Sequence, residues 1–199
     1  MNLNLFWQIN HFAARTGWAH PVMAAFALWG GLVLLVVILA VAWAGHRDSS
    51  QPARTAAATV LAGVSAVVAL GVNQVVAAAH FEARPFVAHH GVTVLLHHAA
   101  DNAFPSDHAT IAGALAAGIL VFARRWGLLA ILVALFLAFA RVYVGVHYPD
   151  DVVVGLALGA VVTVLLWAGL GRLLTKTLQD RLPPAGHRLI GSTQPQHTH

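Results

Sequence analysis

Cysteine is absent from this chain of 199 residues, and charged residues are scarce. Without cysteine the chain can form no disulfide bond, offers no thiolate nucleophile and cannot build a cysteine-ligated metal site. Asp, Glu, Lys and Arg make up only 9% of the residues, whereas 59% are hydrophobic, far more than a soluble domain of this length requires. The composition therefore excludes an ordinary soluble enzyme and predicts a single domain embedded in a membrane.

Runs without charged residues predict the membrane-spanning helices. A span needs about 20 residues, and we expect five of them, at about 21–44, 55–79, 107–123, 126–146 and 152–171. The third and fourth runs are short, so the third helix must begin among polar residues and the fourth must continue past Arg141. The segment 2–16 suits a helix lying in the membrane interface. The predicted fold is an all-α integral membrane bundle with this interfacial helix and a short helical segment at the outer face.

The basic residues predict the orientation of the bundle. Of the 11 Lys and Arg residues, eight fall on the side that holds the loops after the first and third spans and the C-terminal tail. They are Arg47, Arg54, Arg124, Arg125, Arg172, Lys176, Arg181 and Arg188. The positive-inside rule makes this side cytoplasmic. We therefore expect residues 1–181 to form one multi-pass domain, followed by a disordered cytoplasmic tail at 182–199.

Three polar clusters stand at the ends of spans on the opposite, outer side. The first is Glu82-Ala83-Arg84-Pro85 and the second is Pro105-Ser106-Asp107-His108. The third combines Arg141 with His147 and Asp151 at the start of the last span. Polar groups are costly in hydrocarbon, so their gathering at the ends of spans indicates a functional site.

In order and spacing, these clusters resemble the three-part signature of the type-2 phosphatidic acid phosphatase superfamily. Its motifs read Lys-x6-Arg-Pro, Pro-Ser-x-His and Ser-Arg-x5-His-x3-Asp, and the resemblance covers about residues 73–159. Asp107 and the run Val-His-Tyr-Pro are similar to the bacitracin-resistance type of undecaprenyl-diphosphatase. Two positions depart from the superfamily pattern, because Ala77 stands in place of the lysine and Ala140 in place of the serine.

The resemblance implies three catalytic residues. His147 would attack phosphorus and form a phosphohistidine, which divides the hydrolysis into two easier steps. Asp151 would accept the proton on the far ring nitrogen and so fix the tautomer. His108 would donate a proton to the leaving oxygen.

The resemblance also implies a phosphate-binding set, composed of Arg84, Arg141 and Ser106. The two guanidinium groups suit the oxygens of a phosphoryl group, and Ser106 is a favourable residue for capping the following helix. Possible supporting residues are Asn73 and His80, as donors that replace the missing lysine, and Asp107. We expect no metal and no other cofactor.

This resemblance implies a hydrolase that converts undecaprenyl diphosphate to undecaprenyl phosphate at the outer face of the bacterial inner (plasma) membrane. That reaction would return the carrier lipid to the peptidoglycan cycle of the cell wall. The expected partners are the lipid diphosphate and membrane lipids, without nucleic acid, and the oligomeric state stays open. Phosphatases of phosphatidylglycerophosphate, phosphatidate or lipid A are alternatives, because apolar spans do not distinguish prenyl from acyl chains. A histidine-rich membrane transporter is an alternative of a different class.

Two histidine pairs, His89-His90 and His97-His98, fall outside the motifs. In a helix over about 86–98, His90 and His97 would share a face that could bind a metal, although no close carboxylate completes a ligand set. A segment lying at the level of the lipid headgroups is the other interpretation.

Overall fold

The computed structural model describes residues 2–47, 49–97 and 99–181. In these ranges the helices are α1 Asn2–Arg15, α2 Gly17–His46, α3 Pro52–Ala79, α4 Pro85–Ala88, α5 Asp107–Phe122, α6 Arg124–Tyr143 and α7 Pro149–Arg181. The predicted all-α membrane fold is confirmed. The predicted disordered tail, 182–199, lies outside the described residues.

The five helices that the sequence predicts as spans are all present. In the described part of the chain, α2, α3, α6 and α7 are long and apolar enough to cross a membrane, and α5 is a shorter apolar helix of 16 residues. α5 occupies the centre of the bundle, where it packs against α3, α6, α7 and α2. The protein is therefore a multi-pass membrane protein in which the shortest of these five helices packs against the other four.

Glycine residues let α7 approach α5 closely. A Cβ atom added at Gly159 would lie 2.0 Å from the carbonyl oxygen of Thr110, and one added at Gly155 would lie 2.7 Å from that of Ser106. Small residues spaced four apart are typical of tightly packed membrane helices. This pair holds the start of α7 against the start of α5, and so it brings together the two helix ends that carry polar clusters.

Two helix ends differ from the predicted spans. α6 ends at Tyr143 rather than near 146, because Gly145 adopts a φ of +82°, which residues with a side chain rarely adopt. A Cβ atom at Gly145 would also lie 2.4 Å from the carbonyl oxygen of Thr93, so the loop between α4 and α5 packs directly on this turn. α7 continues to Arg181, beyond the predicted end near 171. The predicted span ends before the first charged residue, Arg172, whereas the helix itself continues through a segment that carries cations.

α2 is not a regular α-helix throughout. It begins with a 3-10 turn over Gly17–Ala19 and contains a π-helical turn over Phe26–Gly30. A π-helical turn widens the helix locally and disturbs its regular ladder of hydrogen bonds, so carbonyl groups become available to other partners. This turn lies at the same end of the bundle as the polar clusters.

The N-terminal helix α1 packs over the connection between α6 and α7. Phe6 is fully buried, and its ring makes an edge contact with Tyr148 at a centroid distance of 5.4 Å. The side chain of Asn10 pairs with the backbone of Thr93, donating to its carbonyl at 2.8 Å and accepting from its N–H at 2.9 Å. α1 therefore ties the loop between α4 and α5 to the bundle, while Phe12 on its other face stays exposed.

The segment between α3 and α5 is mostly irregular. α4 has only four residues, His89 has extended backbone angles and Gly91 has a φ of +80°. The idea that a helix over 86–98 aligns His90 with His97 is therefore wrong. The segment instead follows the end of α6, where the N–H of Leu95 donates to a backbone carbonyl at 3.1 Å.

Candidate active site

The three polar clusters of the sequence meet at one end of the bundle. Arg84, Ser106, Arg141, His147 and Asp151 are all buried there, and none is more than 5% exposed. They come from the loop after α3, the start of α5, the end of α6 and the start of α7. Burying polar side chains is costly unless they are hydrogen-bonded. All five side chains make hydrogen bonds, although Nε of Arg141 and Oδ1 of Asp151 have no hydrogen-bond partner among the described residues.

Two arginines converge on one nitrogen of His147. Nη2 of Arg141 lies 3.1 Å from Nε2 of His147, and Nη1 of Arg84 lies 3.4 Å from the same atom. A guanidinium group has donors only, so Nε2 accepts and carries no proton. The unprotonated nitrogen of His147 therefore faces two planar cations of the kind that bind phosphoryl oxygens.

The other nitrogen of His147 faces two acceptors. Nδ1 lies 2.9 Å from the carbonyl oxygen of Ala103 and 3.4 Å from Oδ2 of Asp151. A carbonyl can only accept, so Nδ1 carries the proton. Asp151 is held in place by the N–H of Tyr148, which donates to Oδ2 at 2.7 Å. The ring is thus a neutral imidazole with its lone pair on Nε2, the form that a nucleophile requires.

Three consecutive residues of the loop between α4 and α5, Asp101 to Ala103, orient the site; they form the 101–103 strip. Nε of Arg84 donates to Oδ1 of Asp101 at 2.6 Å, and its Nη2 donates to the carbonyl oxygen of Asn102 at 3.1 Å. The next carbonyl, that of Ala103, receives the proton of Nδ1 of His147. One strip therefore positions both the arginine of the first cluster and the histidine of the third.

The side chain of Asn102 anchors the 101–103 strip to the end of α3. Its nitrogen donates to the carbonyl oxygens of Ala77 and His80, both at 2.8 Å. Its oxygen accepts from the N–H groups of Glu82 and Phe104 at 2.9 and 3.1 Å. Both hydrogens and both lone pairs of the amide are engaged, so this side chain fixes the fold of the loop.

The π-helical turn of α2 supplies two further contacts. The carbonyl oxygen of Ala27 accepts from Nη1 of Arg141 at 3.2 Å, and that of Leu28 accepts from Nε2 of His108 at 2.9 Å. The ring of His108 also lies near Trp29, at a centroid distance of 6.5 Å. Adjacent carbonyls of one irregular turn thus hold residues of the second and third clusters side by side.

Neither the 101–103 strip nor the π-helical turn was predicted from the sequence. Both act largely through backbone carbonyls, which every residue has, and the apolar run that contains Ala27 and Leu28 gives no sign of them. The adjacent polar pair Asp101-Asn102, directly before the second cluster, is the one signal that could have identified the strip.

Ser106 caps α5 at the centre of the site. Its hydroxyl accepts from the N–H of Ala109 at 3.5 Å, and its own N–H donates to the carbonyl oxygen of Asp151 at 3.1 Å. The serine is completely buried. It therefore joins the start of α5 to the start of α7, beside the aspartate of the third cluster.

Asn73 and Asp107 brace the start of α5. The buried amide nitrogen of Asn73 donates to the carbonyl oxygen of Pro105 at 3.3 Å and to the carboxylate of Asp107, and its oxygen accepts from Thr110 at 3.1 Å. Gln74 donates to the same carboxylate at 3.0 Å. Because both hydrogens of the Asn73 amide are engaged, this residue supports the site through α5 rather than as a phosphate donor in place of the missing lysine.

His80 and Tyr148 lie beside this region, His80 exposed and Tyr148 buried. The exposed ring of His80 makes an edge contact with Phe104 at 5.1 Å. Burial raises the pKa of Tyr148 above its ordinary value, and the negative charges of Glu82 and Asp151 raise it further. The higher pKa favours the protonated form of the phenol.

Metal ligands are not grouped in this site. Across residues 2–47, 49–97 and 99–181, no set of three or more His, Asp or Glu side chains is close enough together to hold a metal ion. The cationic groups that face Nε2 of His147 are the two guanidinium groups.

Comparisons with known proteins agree with this geometry. The family model described as the PAP2 superfamily matches residues 56–174. Undecaprenyl-diphosphatase BcrC of Bacillus subtilis (strain 168) is 30% identical over 167 residues, which cover 84% of this chain and 83% of that protein. The protein named "Putative undecaprenyl-diphosphatase YbjG" of Escherichia coli (strain K12) is 33% identical over 185 residues, which cover 90% of this chain and 89% of that protein.

The fold is also similar to a solved structure. The crystal structure of Aquifex aeolicus LpxE superposes with a TM-score of 0.61, covering 82% of this chain and 93% of that one, at 24% sequence identity. At this level of identity the similarity concerns the arrangement of the helices alone.

Proposed function

Because the chain belongs to the PAP2 superfamily and is a membrane lipid phosphatase, we propose that it hydrolyses undecaprenyl diphosphate to undecaprenyl phosphate and inorganic phosphate. The substrate assignment is supported by two relatives named for this activity, each matching more than four fifths of the chain. The chemistry is supported by one observation above all, the unprotonated Nε2 of His147 facing Arg84 and Arg141.

In the first step of the proposed reaction, Nε2 of His147 attacks the terminal phosphorus of the lipid diphosphate. The bond to the bridging oxygen breaks, and undecaprenyl phosphate leaves with a proton from His108. The phosphoryl group remains on His147 as a phosphohistidine. As the ring becomes cationic, the carbonyl of Ala103 and the carboxylate of Asp151 stabilise the proton on Nδ1.

In the second step, water attacks the phosphohistidine and releases inorganic phosphate. His108 takes up a proton from this water, which restores its starting state, and His147 leaves as a neutral imidazole. Arg84 and Arg141 donate to the phosphoryl oxygens in both steps, where charge accumulates in the transition state. The fixed start of α5, capped by Ser106, adds the positive end of a helix dipole beside them.

We expect this chemistry to run without a metal ion. The proposed site already places two guanidinium groups around the position of the phosphoryl group, and these supply the positive charge that a divalent cation would otherwise provide. Activity should therefore persist in the presence of a chelator.

The decisive experiment measures phosphate release from undecaprenyl diphosphate by purified protein in chelator. Wild type should be active, His147→Ala should be inactive, and His97→Ala, an exposed histidine outside the clusters, should match wild type. Faster hydrolysis of phosphatidate, phosphatidylglycerophosphate or lipid A would reject the proposed substrate while keeping the chemistry. A strict metal requirement, or full activity of His147→Ala, would reject the mechanism.

The site is proposed to face the outside of the bacterial inner membrane, with the C-terminus in the cytoplasm. This orientation is supported by the excess of Lys and Arg at the end of the bundle opposite His147. The cysteine-free chain allows a direct test, because one cysteine can be introduced at Ser50 or Ala88 without removing others. An impermeant maleimide applied to intact spheroplasts should label Ala88→Cys and not Ser50→Cys, and the reverse pattern would invert the proposed topology.

A further inference from the structure

A polar cleft lies at the end of the bundle opposite His147. It is formed between the first turns of α3 and the last turns of α7, and it has a volume of about 620 Å³. Its lining residues are Arg54, Trp167, Ala168, Gly171, Arg172, Thr175, Lys176 and Gln179. Three of these side chains are cationic and none is acidic, so the cleft favours an anionic ligand.

The cations of α7 stand on one face of the helix. Arg172, Thr175, Lys176 and Gln179 follow the three- and four-residue spacing that places helical residues in a single stripe. This stripe faces Arg54 of α3 across the cleft. Two helices thus direct positive charge and hydrogen-bond donors into the same space.

Aromatic and backbone contacts hold Arg54 in this cleft. Its guanidinium carbon lies 5.8 Å from the centre of the Trp167 ring, and its Nη2 donates to the carbonyl oxygen of Val121 at 3.4 Å. The ring of Trp167 lies against Gly171, where an added Cβ atom would come within 2.8 Å of it. Because the buried Gly171 has no side chain, the ring of Trp167 can lie in this position and contact the guanidinium group of Arg54.

The same part of α7 also carries exposed apolar side chains. Leu170 is 45% exposed and Leu173 is 64% exposed, and both are next to residues that line the cleft. A helix end with cations on one face and exposed leucines beside them is suited to the boundary between lipid headgroups and acyl chains. Free phosphate would contact only the cationic face. A phospholipid would contact the cationic face with its phosphate and the exposed leucines with its acyl chains.

We propose that this cleft binds the phosphate headgroup of an anionic phospholipid from the membrane leaflet opposite the active site. Arg54, Arg172 and Lys176 bind the phosphate, Thr175 and Gln179 donate to headgroup oxygens, and the acyl chains lie along the exposed leucines. This site goes beyond the proposed phosphatase activity, because it lies at the other end of the bundle from His147.

The test measures binding of phosphatidylglycerol to the full chain in detergent by native mass spectrometry, with phosphatidylcholine of the same acyl chains as the neutral lipid. Wild type should retain phosphatidylglycerol in preference to phosphatidylcholine. The double variant Arg172→Gln/Lys176→Gln should bind it more weakly by on the order of 10-fold or more, since each cation contributes separately to the attraction. Arg54→Gln alone should weaken binding by a smaller factor.

The matched control is Arg124→Gln/Arg125→Gln, which removes two exposed charges from the same end of the bundle outside the cleft. An equal loss in this control would overturn the proposal, because general surface charge would then explain the binding. Equal retention of phosphatidylcholine, or displacement of the lipid by inorganic phosphate at the lipid's own concentration, would overturn it too. Hydrolysis of undecaprenyl diphosphate should be unchanged in the cleft variants, which separates this site from the proposed catalytic site.

Discussion

The imidazole of His147 donates its Nδ1 proton to the backbone carbonyl of Ala103, 2.9 Å away. This partner cannot be removed by changing a side chain, and it fixes the tautomer even without a carboxylate. Oδ2 of Asp151 lies 3.4 Å from the same nitrogen, and we expect this residue to act mainly through its negative charge behind the ring. The division of tasks between these two partners leads to the first prediction.

Asp151→Asn should lower kcat by about 10²-fold, because the developing imidazolium loses a negative charge while its tautomer is retained. The asparagine oxygen can still accept from the N–H of Tyr148, so the start of α7 should remain folded. Steady-state hydrolysis of undecaprenyl diphosphate gives the comparison with His147→Ala, which should show no turnover. If Asp151→Asn is as inactive as His147→Ala, the carboxylate rather than Ala103 sets the tautomer.

His108→Ala should harm hydrolysis of a phosphatidate-type monoester more than hydrolysis of a lipid diphosphate. The diphosphate expels a lipid monophosphate, a much better leaving group than the alkoxide expelled by a monoester, so it depends less on a general acid. We expect the two losses in kcat to differ by at least about 10-fold. Rates of phosphate release on both substrates test this, and equal losses would remove His108 from the leaving-group step.

Asp101→Ala should lower kcat/KM by about 10-fold while leaving thermal stability almost unchanged. The carboxylate orients Arg84 through Nε, and a small displacement of a phosphate-binding group is costly to the transition state. Because the side chain of Asp101 is 58% exposed, its contribution to stability is small. Asp180→Ala, at the other end of the bundle, is the control and should behave as wild type. A fall in the melting temperature equal to that of a core substitution would point to a structural role instead.

Gly159→Ala should destabilise the bundle by about 1–3 kcal/mol, because its methyl group would overlap the backbone of α5. The control in the same helix is Gly169→Ala, where an added Cβ atom has nothing within 4 Å. That change should be neutral or slightly stabilising, since alanine favours a helix more than glycine does. Thermal unfolding in detergent measures both variants, and similar melting temperatures would show that α5 and α7 can separate without cost.

The sequence was sufficient to predict the helices and the polar clusters, and the reasons are physical. Charge-free runs indicate helices in a membrane because hydrocarbon penalises charge strongly, and the ends of spans are where Arg141 and His147 can be tolerated. The exact end of α6 was not predicted, because it depends on the φ of Gly145 and on the packing of Thr93 against it.

The partners of the polar residues were harder to predict than the residues themselves. Asn73 was expected to replace the motif lysine because it stands one helical turn from Ala77. The tertiary fold instead directs its amide to Pro105 and Asp107. A helical position specifies a face, but the neighbour on that face is determined by how α3 and α5 cross, which no local pattern encodes.

The π-helical turn gives α2 a structural role beyond inserting the chain into the membrane. Its hydrogen bonding matters, because removing one residue between Phe26 and Gly30 would restore a regular helix, in which each carbonyl accepts from the N–H four residues along the chain. The carbonyls that hold Arg141 and His108 would then return to the helix's own ladder. A generic hydrophobic anchor of equal length could insert this chain into a bilayer, yet it could not replace α2 as part of the enzyme.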